Sequence, residues 1–103
     1  MFIAMNRFRI APGHEDEFEA IWAARDSHLK GEPGFIEFHL LKGTSEDDHT
    51  LYASHTVWAS REAFDDWIKS DAFRAAHKGA GDRGHLYLGP PKFEGFDAVQ
   101  QVK

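Results

Sequence analysis

An imidazole, an amide, two indoles and a guanidinium stand where their chemistry is out of keeping with their neighbours: His77, Asn6, Trp67, Trp22 and Arg25. His77 is four residues beyond Phe73 and directly follows Ala75-Ala76. That puts it on the apolar side of a short helix, with small neighbours that let a flat ligand come close. A neutral imidazole is a good iron ligand, and its second nitrogen can be oriented by a backbone carbonyl. The competing reading is a helix-terminal histidine that complements the helix dipole, with Gly79 and Gly81 as stop signals. Asn6 alternates with Phe2, Ala4, Phe8 and Ile10 along one strand face. A buried amide without partners costs roughly 1–3 kcal/mol, so Asn6 either bonds to neighbouring backbone or donates into a pocket between sheet and helices. Trp67 precedes His77 by ten residues. On one unbroken helix the two differ by about 80° in direction. They converge only where the helix bends, and Ser70-Asp71 offers a bend; otherwise Trp67 is core. Arg25 interrupts an apolar stripe between Trp22 and Leu29, and either snorkels outward or meets an anionic ligand group.

The elements that must position these groups follow from periodicity. Residues 2–10 alternate apolar and polar, which predicts a strand, and Ala11-Pro12-Gly13 ends it. Phe18, Ile21, Trp22, Arg25 and Leu29 follow helical spacing from about His14 to Leu29, with Glu15, Asp16 and Glu17 in the first turn, where the dipole favours them. Gly31-Glu32-Pro33-Gly34 closes that helix. Residues 35–42 and 50–58 read as a hairpin around a polar turn at 43–49. The first of these strands offers Phe35 and Leu41 on one side and Ile36, Phe38 and Leu40 on the other. Ser60 is an N-cap for a helix whose stripe is Ala63, Phe64, Trp67 and Ile68, and Ser70-Asp71 starts a new turn. Residues 79–91 hold four Gly and two Pro and read as a loop. Residues 92–102 read as a last strand. The order is βαββαβ, an α+β ferredoxin-like unit in one domain over 1–103, with both helices on one face of an antiparallel sheet. The other face is partly apolar as well, which calls for a second sheet, so a homodimer packed sheet to sheet is expected.

Composition removes several functions. A net charge of −5 with no basic stripe argues against nucleic acid as a partner. The absence of cysteine removes disulfides, thiolate metal sites and cysteine nucleophiles. The N-terminus has no signal-peptide pattern, and no stretch approaches the roughly 20 apolar residues of a membrane span; a cytoplasmic protein without membrane association is expected. The histidines other than His77 show no paired metal-ligand spacing such as HxxxH, and neither a phosphate-binding loop nor a GxSxG nucleophile motif occurs. Asp47-Asp48 and Asp65-Asp66 read as solvated surface.

Taken together, Asn6-Arg7-Phe8, Pro33-Gly34-Phe35, Val57-Trp58-Ala59-Ser60-Arg61-Glu62-Ala63-Phe64 and Trp67 through His77 span most of the chain. In these segments the sequence resembles the IsdG-like haem-degrading monooxygenases of the antibiotic-biosynthesis monooxygenase superfamily, which are dimeric α+β barrels. The W-x-S-x-x-A-F segment is generic for that superfamily, whereas the Asn…Trp…His combination marks the haem degraders. The resemblance implies that His77 is the proximal iron ligand, that Asn6 hydrogen-bonds near the distal oxygen, and that Trp67 ruffles the porphyrin. It also implies that Trp22 and Arg25 line the pocket, with Arg25 near a propionate or a water close to the iron. The implied function is oxidative cleavage of haem, at once substrate and cofactor, with O2 and an external reductant, to a bilin-type product and free iron. No flavin or nicotinamide motif occurs, so a separate electron-donating reductase is implied. His85 is a less favoured competing ligand. Two alternatives stay open: a cofactor-free monooxygenase acting on a phenol or quinol, and a non-catalytic haem-binding barrel.

Overall fold

The alternation in residues 2–10 becomes the central strand of a four-stranded antiparallel sheet in the computed structural model, which describes residues 1–24, 28–76 and 84–103. The elements run β1 (Phe2–Ile10), α1 (Glu15–Ala24), β2 (Phe35–Ser45), β3 (Thr50–Trp58), α2 (Arg61–Ile68), α3 (Asp71–Ala76) and β4 (Lys92–Asp97). The sheet order is β2-β3-β1-β4, and every neighbouring pair is antiparallel. This is the ferredoxin-like arrangement that the element order predicts. Among the described residues no helix is long and apolar enough to cross a membrane.

Register sorts the side chains to two faces. Phe2, Ala4, Asn6, Phe8 and Ile10 of β1 pair with Trp58, Thr56, Ser54, Tyr52 and Thr50 of β3, and this shared face lies under the helices. Ile3, Met5, Arg7 and Arg9 point the other way, beside Val57, His55, Ala53 and Leu51. Burial of Phe2, Phe8, Ile10, Phe18, Tyr52, Trp58 and Trp67 supplies most of the core, since each aromatic removes a large apolar area from water.

Five features differ from the sequence reading. A bulge between Phe35 and Glu37 shifts the phase of β2, so Phe35 joins Phe38 and Leu40 on the helix side while Leu41 stays opposite. At its other end β2 runs on to Ser45, which pairs with Thr50, and the turn shrinks to Glu46–His49, closed by the Glu46 N–H donating to the His49 carbonyl at 2.7 Å. β4 ends at Asp97, which pairs with Phe2, the first residue of β1; one further hydrogen bond, from the Ala98 N–H to the Met1 carbonyl at 3.0 Å, closes the ladder. The first helix is described to Ala24, and by His28 the backbone has a φ of +58°, so the buried Leu29 enters the core from a turn rather than from a helix. Of the loop expected at 79–91, residues 84–88 are tied to β1: Tyr87 bridges Ile10, and the Leu88 N–H donates to the Arg9 carbonyl at 2.9 Å.

Candidate functional site

The apolar face under the helices is not one core but two. Phe2, Ala4, Leu29, Trp58 and Trp67 form one cluster; Phe8, Ile10, Phe18, Tyr52 and Leu86 form the other. The row of β1 and β3 between them is polar: Asn6 opposite Ser54, flanked by Leu40 on β2 and Phe93 on β4. Asn6 is half-buried, and its amide makes no hydrogen bond to another described residue. Ser54 is only 7% exposed, and its hydroxyl is likewise without a described partner. Among the described residues the fully buried side-chain atoms without a partner are Trp58 Nε1 and His55 Nδ1; the Asn6 amide and the Ser54 hydroxyl are not among them, so they stay accessible to an incoming group. Side by side, facing the helices, they make a seam suited to a polar atom of a ligand.

A cleft of about 380 Å³ opens between α1 and the β2–β3 hairpin, lined by Glu19, Trp22, Ala23, Phe38, Leu40, Lys42 and Tyr52. Its volume is within the range of small-molecule sites, about 300–1,000 Å³. Trp22 and Phe38 lie nearly parallel in its wall, 5.9 Å between ring centres and 8° between planes, and so present flat apolar surface. At its polar end the Tyr52 hydroxyl donates to Glu19 Oε2 at 2.5 Å, with Lys42 Nζ 3.5 Å from the same oxygen. That hydrogen bond, helped by Lys42, holds the Glu19 carboxyl below the usual carboxylate range. Burial, followed by the hydrogen bond to Glu19 and then that residue's charge, pushes the Tyr52 phenol well above its ordinary value, so it remains a donor.

Trp67 is buried at the corner where the second helix breaks. Its ring meets Phe73 edge to face at 5.7 Å and tilts against Trp58 at 6.1 Å. Ser70 makes the corner: its hydroxyl donates to the Trp67 carbonyl at 2.6 Å and accepts from the Phe73 N–H at 3.1 Å. One side chain thus closes the end of α2 and caps the start of α3. The break expected at Ser70-Asp71 is present, between α2 and α3. His77 itself and Arg25 lie outside the described residues. Of the five residues singled out from sequence, the described ones are divided: Trp67 belongs to the first aromatic cluster, Trp22 packs against the second, and Asn6 lies on the seam between them. His85 is engaged elsewhere, its Nε2 2.9 Å from Glu17 Oε2 at the start of α1. Ser54, Tyr52 and Glu19 went unnoticed in the sequence. A serine in an alternating strand carries no signal, and the pairing of Tyr52 with Glu19 spans 33 residues.

The profile of the antibiotic biosynthesis monooxygenase family matches residues 1–79. A haem oxygenase (staphylobilin-producing) from Staphylococcus aureus is 32% identical over 77 residues, 75% of this chain and 71% of that protein. The structure of the haem degrader MhuD from Mycobacterium tuberculosis, with two haems bound in its active site, is similar over all of both chains, with a TM-score of 0.78 and 27% identity. SnoaB, a cofactor-independent oxygenase from Streptomyces nogalater, is also similar, with a TM-score of 0.69 and 25% identity over 98% of this chain and 95% of that one.

Proposed function

Because the chain belongs to the antibiotic biosynthesis monooxygenase family, we propose that it is a haem-degrading monooxygenase, cleaving haem oxidatively with O2 and external electrons to a bilin-type product and free iron. The observation that carries this reading is the polar seam Asn6–Ser54, facing the helices between two aromatic clusters, in a fold similar to that of haem-bound MhuD. A planar macrocycle with a polar centre and an apolar rim needs both kinds of surface at once. The residues present fit it: flat aromatic walls at Trp22 and Phe38, and two hydrogen-bonding groups with no other described partner.

Haem is the substrate and, once bound, supplies the iron at which O2 is reduced. His77, the residue after α3, supplies the imidazole that ligates it. The Asn6 amide is an N–H donor on β1 that would stabilise negative charge as it develops on the oxidant. Trp67 is braced by Trp58, Phe73 and the Ser70 corner, so its indole yields little and would act as a rigid wall that strains a bound porphyrin. Arg25 would meet a propionate or a water close to the iron. The electrons come from a separate reductase. The sheet face opposite the helices carries Ile3, Met5, Leu41 and Phe96, with Leu41 41% and Phe96 46% exposed; this supports a homodimer packed through that face, checked by sedimentation.

The test is a haemin titration of the purified protein, followed by ascorbate in air with catalase present. A saturable Soret shift that then bleaches as bilin absorbance grows is the expected result. A shift that persists under reductant and O2 makes the protein a haem carrier. No shift removes the His77 assignment and favours the cofactor-independent chemistry of SnoaB. In His77→Ala turnover is lost; retained turnover overturns its role as ligand.

A further inference from the structure

His14, Glu17 and His85 come together at the N-terminal end of α1. His14 Nδ1 lies 3.2 Å from Glu17 Oε1, and His85 Nε2 lies 2.9 Å from Glu17 Oε2. One donor atom from each of the three residues can be chosen so that all lie within 4.8 Å of one another, and no ion is present. The two imidazoles meet edge to face, 5.5 Å between ring centres.

We propose that these three side chains form a binding site for a divalent first-row transition-metal cation of the zinc type, separate from the haem site. Two imidazole nitrogens and one carboxylate are a donor set that such ions take, leaving the remaining positions to water; imidazole disfavours magnesium and calcium. Around a tetrahedral zinc with ligands at about 2.0–2.1 Å, neighbouring ligand atoms are about 3.3–3.4 Å apart. The observed contacts reach different oxygens of Glu17, 3.2 Å from His14 to Oε1 and 2.9 Å from His85 to Oε2, and one donor from each residue lies within 4.8 Å of the others, so rotations of these side chains draw the three donors onto one ion. The His85 side chain is 54% exposed and Glu17 46%, which leaves the open positions to solvent.

The backbone that carries the donors is already fixed. The His14 N–H donates to the Ala11 carbonyl at 3.1 Å, and its carbonyl accepts from the Phe18 N–H at 3.0 Å. On the other segment the Leu86 carbonyl accepts from the Ala11 N–H at 2.8 Å, with the Leu86 side chain fully buried. Both halves of the site are therefore anchored where β1 gives way to α1. A bound ion clasps the 84–86 turn to α1 and stabilises the folded chain by mass action.

The test titrates zinc chloride into chelator-treated, haem-free protein, following heat of binding and thermal melting. One zinc per chain is expected, with a melting temperature that rises and then saturates. Glu17→Gln and His85→Ala each weaken binding roughly tenfold or more and remove the thermal shift, while His77→Ala leaves both intact. Both substituted side chains are exposed, and far-UV circular dichroism verifies that the variants are folded. Absence of saturable binding, unchanged binding in the Glu17 and His85 variants, or binding lost only in His77→Ala overturns the site. None of these outcomes depends on haem being degraded.

Discussion

Replacing Asn6 by leucine separates a structural role for this amide from a catalytic one, because the two predict opposite signs. Leucine keeps the size and branching of asparagine and removes both polar atoms. Asn6 lies between Ala4 and Phe8 on the buried face of β1, and its amide has no hydrogen-bond partner among the described residues. The folded chain therefore loses no internal bond and gains apolar surface between its two aromatic clusters. Burying the added apolar atoms is worth about 1 kcal/mol, equivalent to a rise of about 4–8 °C in melting temperature for a domain near 100 residues. Turnover moves the other way. Removing one preorganised donor aimed at developing charge costs about 10²–10³ in rate. The assay pairs a thermal melt of the haem-free protein with single-turnover bleaching of the Soret band under ascorbate. Stability held or raised, with saturable haem binding retained and bleaching at least about a hundredfold slower, is the expected result. A fall in melting temperature of several degrees refutes the argument by showing that Asn6 satisfies a group inside the fold. Unchanged bleaching removes Asn6 from the reaction.

Three further outcomes follow from the same geometry. Trp67→Phe retains haem binding but slows cleavage, because a smaller ring at the braced corner leaves the porphyrin flatter; an unchanged rate and product distribution in single-turnover assays counts against strain from Trp67. Gly34→Ala destabilises by about 2–4 kcal/mol in urea unfolding, since Gly34 has a φ of +82° and an added Cβ would lie 2.5 Å from the Cβ of Ala63; a loss under about 1 kcal/mol would mean that the loop shifts freely away from α2. The pH dependence has two limbs. Glu15, Glu17 and Glu19 are all held below their ordinary 4.5 by hydrogen bonds, so the unfolded chain binds more protons there, and stability is lost as pH falls from about 4.5 through their folded values. Tyr52 is raised above its ordinary 10.0, so its contribution is complete below pH 10 and is lost as pH rises above it. Phenolate absorbance that shows both tyrosines ionising near pH 10 in the folded protein contradicts this.

Much of the candidate site was legible in the chain, and the illegible part has a definable cause. Asn6 stood out because period-two alternation puts it among apolar residues, and the tertiary structure keeps it on that face. Trp67 and the break at Ser70-Asp71 were visible because a helix stripe and a capping serine are local signals, set by residues three or four apart. The β2 bulge was not visible: one extra residue between Phe35 and Glu37 exchanges the faces of what precedes it, and no local preference marks it. The two-cluster core, with its polar seam, needed the β1–β3 register. Ser54 acquires meaning only opposite Asn6, and Tyr52 only beneath Glu19.

The His14–Glu17–His85 cluster marks the boundary most sharply. His14 and Glu17 share one helical turn and were within reach of pattern reading, but His85 is 68 residues from Glu17 and arrives through the hydrogen bonds of its neighbours to Ala11 and Arg9. The sequence by itself determined the element order, the ferredoxin-like class and the residue types that bind and oxidise a macrocycle. The first two follow from side-chain periodicity, caps and turn residues, which act over a few positions; the third came from the resemblance of the Asn…Trp…His combination to a known family. Only the tertiary structure decided which polar groups lack partners, which rings lie parallel in the cleft, and which distant donors converge. Those properties arise where segments remote in sequence meet, and packing and strand register, rather than local preference, fix that meeting.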